Sequence, residues 1–549
     1  MSKTRTASEP TSSRDRSTRE GEGDDHARIP GETRVTPTRI TRLRPALPDD
    51  GWIGWAVSLM VTALAFILRV VNLGYPNKLV FDETYYAKDG WSVFQYGYER
   101  AWSDDANDLI TQGDLSGLQD APSFVVHPPI GKLLIGLGEW MFGMDAFGWR
   151  IMSAIFGSLL ILVIIRMTRR LSRSILVGAL AGVLLCFDGL HFVMSRIALL
   201  DIFQAFFTLA AVAALLVDRD WFRNRLADHL HTNKLQSLDG TFGPVLFWRP
   251  WRLVAGVLFG LACATKWNSV YVLAAFSVLS VFWDVGARRL AGARHRSFLA
   301  LLIDAPIAFV YHVIVAVIVY IASWFRWLTT TGGYARDWGE QNPDATITKV
   351  LGKPLASLWD YHEQIFGFHT GDFIRGQEHT YQSDPIGWLI IGRPIGIDAV
   401  NGIAPGADGC PGPEECIRVI SAIGTPVLWW GGVAALIVAV FWWIGNQDWR
   451  FGVPIVGLAS VWFPWFSQTD RPLFYFYAIL IIPFTVVALA LVLGKLIGEG
   501  RQTWRPGVII TGAFTAVVIL NFGFFHPILT DGLLTQPQWQ ARMWFDRWI

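Results

Sequence analysis

The 549-residue chain is 52% hydrophobic and only 17% charged, short of the roughly one quarter of charged residues with which a soluble chain solvates its surface. Much of its surface must therefore face lipid, and 27 Trp and 36 Phe suit interfacial belts and apolar walls. A formal net charge of +1 argues against a nucleic-acid partner, which would call for a basic surplus concentrated on one face.

Residues 1–50 are a different material, rich in Arg, Thr, Ser, Glu and Asp and nearly free of aromatic residues. They cannot bury enough apolar area to offset the entropy of ordering, so a disordered cytoplasmic tail is expected there, with the membrane domain over residues 51–549. The tail lacks the apolar stretch and cleavage site of a signal peptide, and export of the whole chain is not expected.

From there, apolar runs long enough to cross ~30 Å of hydrocarbon recur. They fall near residues 52–71, 147–167, 175–192, 197–217, 253–264, 270–283, 298–324, 426–443, 451–466, 473–493 and 508–525. The fold expected is an all-α polytopic membrane protein with about eleven crossings, although one kinked helix would also explain the two short runs around Thr265–Ser269. Basic clusters fix the orientation, because cytoplasmic loops keep Lys and Arg. The Arg166–Arg170 turn, the stretch Arg219–Arg252, Arg288–Arg296 and Lys495–Arg505 all fall on the side of the tail. The N-terminus is then cytoplasmic and the C-terminus external.

Two long connections land outside, residues 72–146 and residues 326–425. Structured outer loops above many crossings point to chemistry at the outer membrane surface rather than to a channel or carrier, whose ionisable residues would lie near mid-bilayer. In the second loop Cys410 and Cys416 bracket a Pro/Gly-rich turn. They would suit a disulfide if that loop is extracytoplasmic and would otherwise stay free. Cys186 and Cys263 fall in apolar runs and read as inert packing residues.

The first loop opens on the adjacent acids Asp82 and Glu83, which point different ways on any regular backbone, so one of them at most touches a given reacting atom. By spacing alone the simpler reading is a solvated loop start or a helix N-terminus, where acidic residues are favoured. His127-Pro128-Pro129 holds a histidine at a rigid entry turn, either to orient a substrate or metal or simply as structure. Arg150, Arg196, Lys266 and Arg471 sit at the outer ends of different spans, with Asp201 just beyond Arg196. Snorkelling explains any one of them; four converging on one side suit phosphate binding.

Five segments occur in order: Phe81-Asp82-Glu83, His127 to Lys132, Phe147 to Arg150, Ser195 to Asp201 and Thr265 to Asn268. With the ending Arg542 to Trp548, they resemble the signature segments of protein O-mannosyltransferases of the actinobacterial type. The resemblance spans essentially everything after the tail. It implies a GT-C architecture with an extracytoplasmic active site in the cell (inner) membrane, a polyprenyl-phosphate-mannose donor and Ser or Thr hydroxyls of exported proteins as acceptors. Asp82 matches the family's catalytic aspartate and Glu83 the second acid, while Arg150 and Lys266 match cations tied to activity or donor phosphate. The second loop is too short for the β-trefoil domain of eukaryotic members, so acceptor choice does not carry over.

The expected reaction is one displacement with inversion, with Asp82 taking the hydroxyl proton and Glu83 orienting acceptor or sugar. Arg150 and Lys266, then Arg196 and Arg471, would hold the leaving phosphate, with His127 and Asp201 orienting substrate. No metal or cofactor is expected, since the lipid-linked sugar is a substrate. Membrane lipid is an expected partner, and whether the enzyme works beside the secretion translocon stays open. The nearest rival is a GT-C enzyme that glycosylates a glycolipid or cell-wall glycan; a flippase without bond transfer is the more distant one.

Overall fold

The computed structural model describes residues 38–44, 47–498 and 505–549. Residues 1–37 of the expected tail, and 499–504 of the Lys495–Arg505 stretch, lie outside the described residues. The tail's expected end at residue 50 needs correction. Arg39–Leu43 is a short helix whose Leu43 is buried against Phe222 and Leu226. Asp50 pairs with both Arg166 and Arg169 at 2.7 Å. One buried leucine and a few charge pairs dock a segment whose composition alone reads as unstructured.

Every apolar run expected to cross the membrane falls at least in part on helix, although the run 175–192 is broken at 187–188, and 197–200 and 473–474 lie outside helix. Length and apolarity suffice for crossing in six described stretches: Gly51–Val70, Ala146–Ser172, Asp201–Thr232, Ser269–Ser323, Pro426–Gly445 and Arg505–Leu529. The 55 residues of Ser269–Ser323 would reach roughly 80 Å as one straight helix, far beyond the bilayer. The chain breaks at Gly292, whose φ of 104° no helix accommodates, and so joins two expected runs. Trp449–Trp462 and the shorter apolar helices Ile175–Cys186, Pro250–Cys263 and Ile482–Ile497 carry the remaining runs. Pro250–Cys263 and Ser269–Arg288 are separate helices joined by the turn that holds Lys266.

Helices apolar all round belong inside, and those with one apolar face outward need lipid. Ala146–Ser172, Asp201–Thr232 and Ile482–Ile497 form the buried centre. On the periphery, Leu59, Met60 and Ile67 of Gly51–Val70 stay exposed, as do Leu302, Val317 and Ile318. At one end of the bundle a buried four-residue charge network joins Arg249 and Arg252 to Asp218 and Asp284, with separations of 2.5–3.2 Å.

The two long loops are structured at the other end. In the first, helices Glu83–Tyr96 and Ile130–Phe142 cross closely, because a Cβ on Gly136 would stand 2.3 Å from the Gly90 carbonyl oxygen. Strands β1 (Arg100–Trp102) and β2 (Leu118–Pro122) pair antiparallel beside them. In the second, helix Lys353–Thr370 precedes β3 (Ile395–Ile403) and β4 (Cys416–Ala422), which pair antiparallel, and β5 (Leu534–Thr535) from the C-terminal region adds to β4. Cys410 and Cys416 are joined in a disulfide. The Lys78–Asp398 ion pair (2.8 Å) and the Arg418–Tyr75 hydrogen bond (2.8 Å) fasten this sheet to the segment leading into Asp82.

Candidate active site

The two adjacent acids have opposite fates. Asp82 is the N-cap of helix Glu83–Tyr96, and its side chain makes no capping hydrogen bond. Among the described residues nothing donates to that carboxylate, although Lys266 and Asp201 lie close enough for their charges to act on it. Burial pushes its pKa up to about 6, with Lys266 pulling down and Asp201 pushing further up. A half-buried carboxylate with unfilled lone pairs and a pKa near neutrality suits proton acceptance.

Glu83 is fully buried and saturated. It takes hydrogen bonds from Arg150 Nε and Nη2, each at 2.8 Å, and from the backbone nitrogens of Val80 at 3.0 Å and Ala198 at 2.9 Å. Its expected role in orienting acceptor or sugar is corrected accordingly, since no lone pair remains for a substrate. Arg150 is corrected with it. Its other donors go to the carbonyls of Leu73 at 3.2 Å, Pro76 at 2.9 Å and Lys78 at 2.9 Å. All five guanidinium N–H groups are thus committed, and none is left over for a phosphate.

Arg196 departs from expectation in the same way. It donates to the carbonyls of Arg69 at 2.6 Å, Val71 at 2.8 Å and Asn72 at 3.1 Å, where the first membrane helix ends and its carbonyls lose their partners. Sequence spacing places a cation at a span's end without revealing that an irregular stretch of backbone beside it demands donors.

Lys266, Asp201, Arg471 and His127 do come together, lining one cavity of about 380 Å³. Asp201 opens helix Asp201–Thr232 and pairs with Lys266 Nζ at 2.8 Å. Burial works against the ammonium, but Asp201, Tyr477 and Asp82 together outweigh it and keep Lys266 above its usual pKa. Among the described residues Arg471 makes one long contact, 3.4 Å to the His369 carbonyl, and its buried Nε has no partner. Two cations against one carboxylate leave this cavity electropositive, as an anionic substrate requires.

His127 sits with its ring 6.2 Å from that of Tyr86 and 5.5 Å from that of His369. Burial, then Lys266, hold His127 well below the usual histidine range, so it is neutral. His369 went unnoticed in the sequence. Its Nε2 is 3.0 Å from the Val126 carbonyl, which can only accept, so Nδ1 is the bare nitrogen and is buried without a partner. His362 and His369 lie on one face of helix Lys353–Thr370, and that seven-residue spacing was the available signal. His362 stacks on Trp267 at 5.8 Å and meets Tyr320 Oη at 2.7 Å, which in turn accepts from Trp267 Nε1 at 2.8 Å. Trp267 and Trp465 both line the cavity, giving it aromatic walls.

Comparison with known sequences narrows the reading. The family described as dolichyl-phosphate-mannose-protein mannosyltransferase matches residues 139–329, and the C-terminal four-transmembrane region of protein-O-mannosyltransferase matches residues 354–548. A polyprenol-phosphate-mannose–protein mannosyltransferase of Mycolicibacterium smegmatis is 36% identical, over 91% of this chain and 94% of its own length. One of Mycobacterium tuberculosis is 35% identical, over 94% and 95%. The chain belongs to the protein O-mannosyltransferase family. The fold agrees. The yeast protein O-mannosyltransferase Pmt1–Pmt2 complex bound to its sugar donor superposes with a TM-score of 0.67 at 12% identity, covering 94% of this chain and 95% of that one. This protein O-mannosyltransferase is a multi-pass membrane protein of the GT-C architecture.

Proposed function

We propose that the chain transfers mannose from polyprenyl-phosphate-mannose to Ser or Thr hydroxyls of proteins, at the membrane face that carries Asp82. The observation that carries the reading is the pairing of an unbonded carboxylate, Asp82, with the electropositive cavity of Lys266 and Arg471. Asp82 accepts the hydroxyl proton as the acceptor oxygen attacks the anomeric carbon, and the bond to the phosphate oxygen breaks on the opposite side. One displacement inverts the anomeric centre. Charge gathers on the departing phosphate, where Lys266 and the open donors of Arg471 stabilise it.

The Asp82 face is taken as extracytoplasmic, since the arginine clusters gather at the other end of the bundle and the Cys410–Cys416 disulfide suits an oxidising compartment. Membranes given labelled polyprenyl-phosphate-mannose and a Ser/Thr-rich peptide should label the peptide. Label confined to lipid or polysaccharide would instead assign the glycan-transferring reaction.

Transfer should fall as the pH drops through about 6, where Asp82 takes up the proton that disables it. Lys266→Met removes the cation that holds Asp82 down, so the acid limb of the pH–rate profile should move to higher pH as the rate falls. A limb left in place would show that Lys266 does not act on Asp82. Arg471→Gln should raise the KM for donor by about 10-fold or more, in line with loss of a charge-assisted phosphate contact. Peptide KM should change little, as measured in a two-substrate titration.

A further inference from the structure

Seven arginines line a second cavity of about 360 Å³ against a single acid, Asp220. It belongs to the far end of the bundle. Asp201 and Arg219 stand on the same helix, Asp201–Thr232, eighteen residues apart and so roughly 27 Å along the axis. Arg150 and Arg170 on Ala146–Ser172 are separated by a similar rise, about 30 Å. Both helices place this cavity one hydrocarbon thickness from the mannosyl-transfer site, at the level of the headgroups of the opposite leaflet.

The arginines are only partly neutralised from within. Arg170 and Arg219 share Asp220, at 2.6 and 3.2 Å. Arg223 donates to the carbonyls of Leu43 at 3.0 Å and Arg42 at 2.5 Å, which carry no net charge. Arg44 pairs with Asp228 at 3.0 Å and Arg450 with Asp448 at 2.6 Å. The side chains of Arg42 and Arg173 make no hydrogen bond or ion pair among the described residues. Arg219 lies 3.4 Å above the ring of Trp449, held by an aromatic residue of the kind that anchors at membrane interfaces. Leu171 and Leu216 supply an apolar floor. Guanidinium groups gathered this closely in a concavity repel one another within a Debye length unless an anion enters. Planar forks over an apolar floor match a phosphate that carries hydrocarbon.

We propose that this cavity is a phosphate-binding site, filled by the headgroup of an anionic phospholipid of the leaflet opposite the transfer site. A water-soluble phosphate has the same headgroup chemistry, and the test separates the two sources. The full chain, stripped of lipid in nonionic detergent, is titrated with phosphatidylglycerol or phosphatidylcholine and the bound lipids are counted by native mass spectrometry. One phosphatidylglycerol should be held at least 10-fold more tightly than phosphatidylcholine. Arg42→Gln/Arg173→Gln, which removes two side chains with no internal partner among the described residues and so spares the fold, should abolish that preference, and Arg219→Gln on its own should weaken it. A phosphatidylglycerol preference that millimolar inorganic pyrophosphate displaces upholds the lipid headgroup as occupant; binding of pyrophosphate without any lipid preference overturns the lipid occupant and assigns the site to soluble phosphate. Equal retention of both lipids together with no pyrophosphate binding, or a preference that survives both variants, overturns the proposal.

Discussion

Asp82→Asn is expected to abolish mannosyl transfer, by about 10²–10⁴-fold or more for a lost general base, while leaving the protein folded and able to bind donor. The reason is local. The carboxylate takes no hydrogen bond among the described residues, so the amide breaks no network there. The stability effect runs the other way. A carboxyl whose folded-state pKa is raised to about 6 holds its proton more tightly when folded than when unfolded, so its ionised form costs stability above that pH. A permanently neutral Asn escapes this cost, and the variant should melt at or slightly above the wild-type temperature at pH 7.5, measured by thermal unfolding in detergent. Turnover of labelled donor within a few-fold of wild type would remove Asp82 from the mechanism.

Glu83→Gln, one residue along, should do the reverse and fail through folding. Glu83 accepts two hydrogen bonds from Arg150 and two from backbone nitrogens, all in the buried interior. A glutamine turns one accepting oxygen into a donor that faces other donors, and leaves the Arg150 guanidinium buried without a counter-charge. Breaking such a pair costs about 3–5 kcal/mol, enough to deplete the folded protein in membranes. The measurements are yield of monodisperse protein and melting temperature. A Glu83→Gln protein that is fully stable yet inactive would return Glu83 to the chemistry. Arg150→Met should share its phenotype rather than show a selective rise in donor KM.

The architecture was legible because lipid imposes a simple rule, namely long apolar runs with charge kept at their ends, and the greater part of each expected run does fall on helix. The crossing count was harder to read, since Gly292 breaks one continuous helical stretch and several buried helices are shorter than a bilayer. Within the site, motif position located Asp82, Lys266, Asp201 and His127 but could not separate roles. Arg150 and Lys266 look alike in sequence, as charges at the outer ends of apolar runs. Only packing reveals that Arg150 is consumed by carbonyls and Glu83 while Lys266 opens on a cavity. His369 and Tyr477 reach that cavity from the second loop and a later helix, carried there by long-range topology that no local pattern encodes.

Arg196 and Arg150 together grip six carbonyls, those of Arg69, Val71, Asn72, Leu73, Pro76 and Lys78. The chain from the end of helix Gly51–Val70 to within four residues of Asp82 is thereby strapped into a strut. That helix also presents Leu59, Met60 and Ile67 outward, where the acyl chains push. Its tilt is consequently geared to the position of the base, and a bilayer of different thickness would retune the reaction centre without touching a single residue in it.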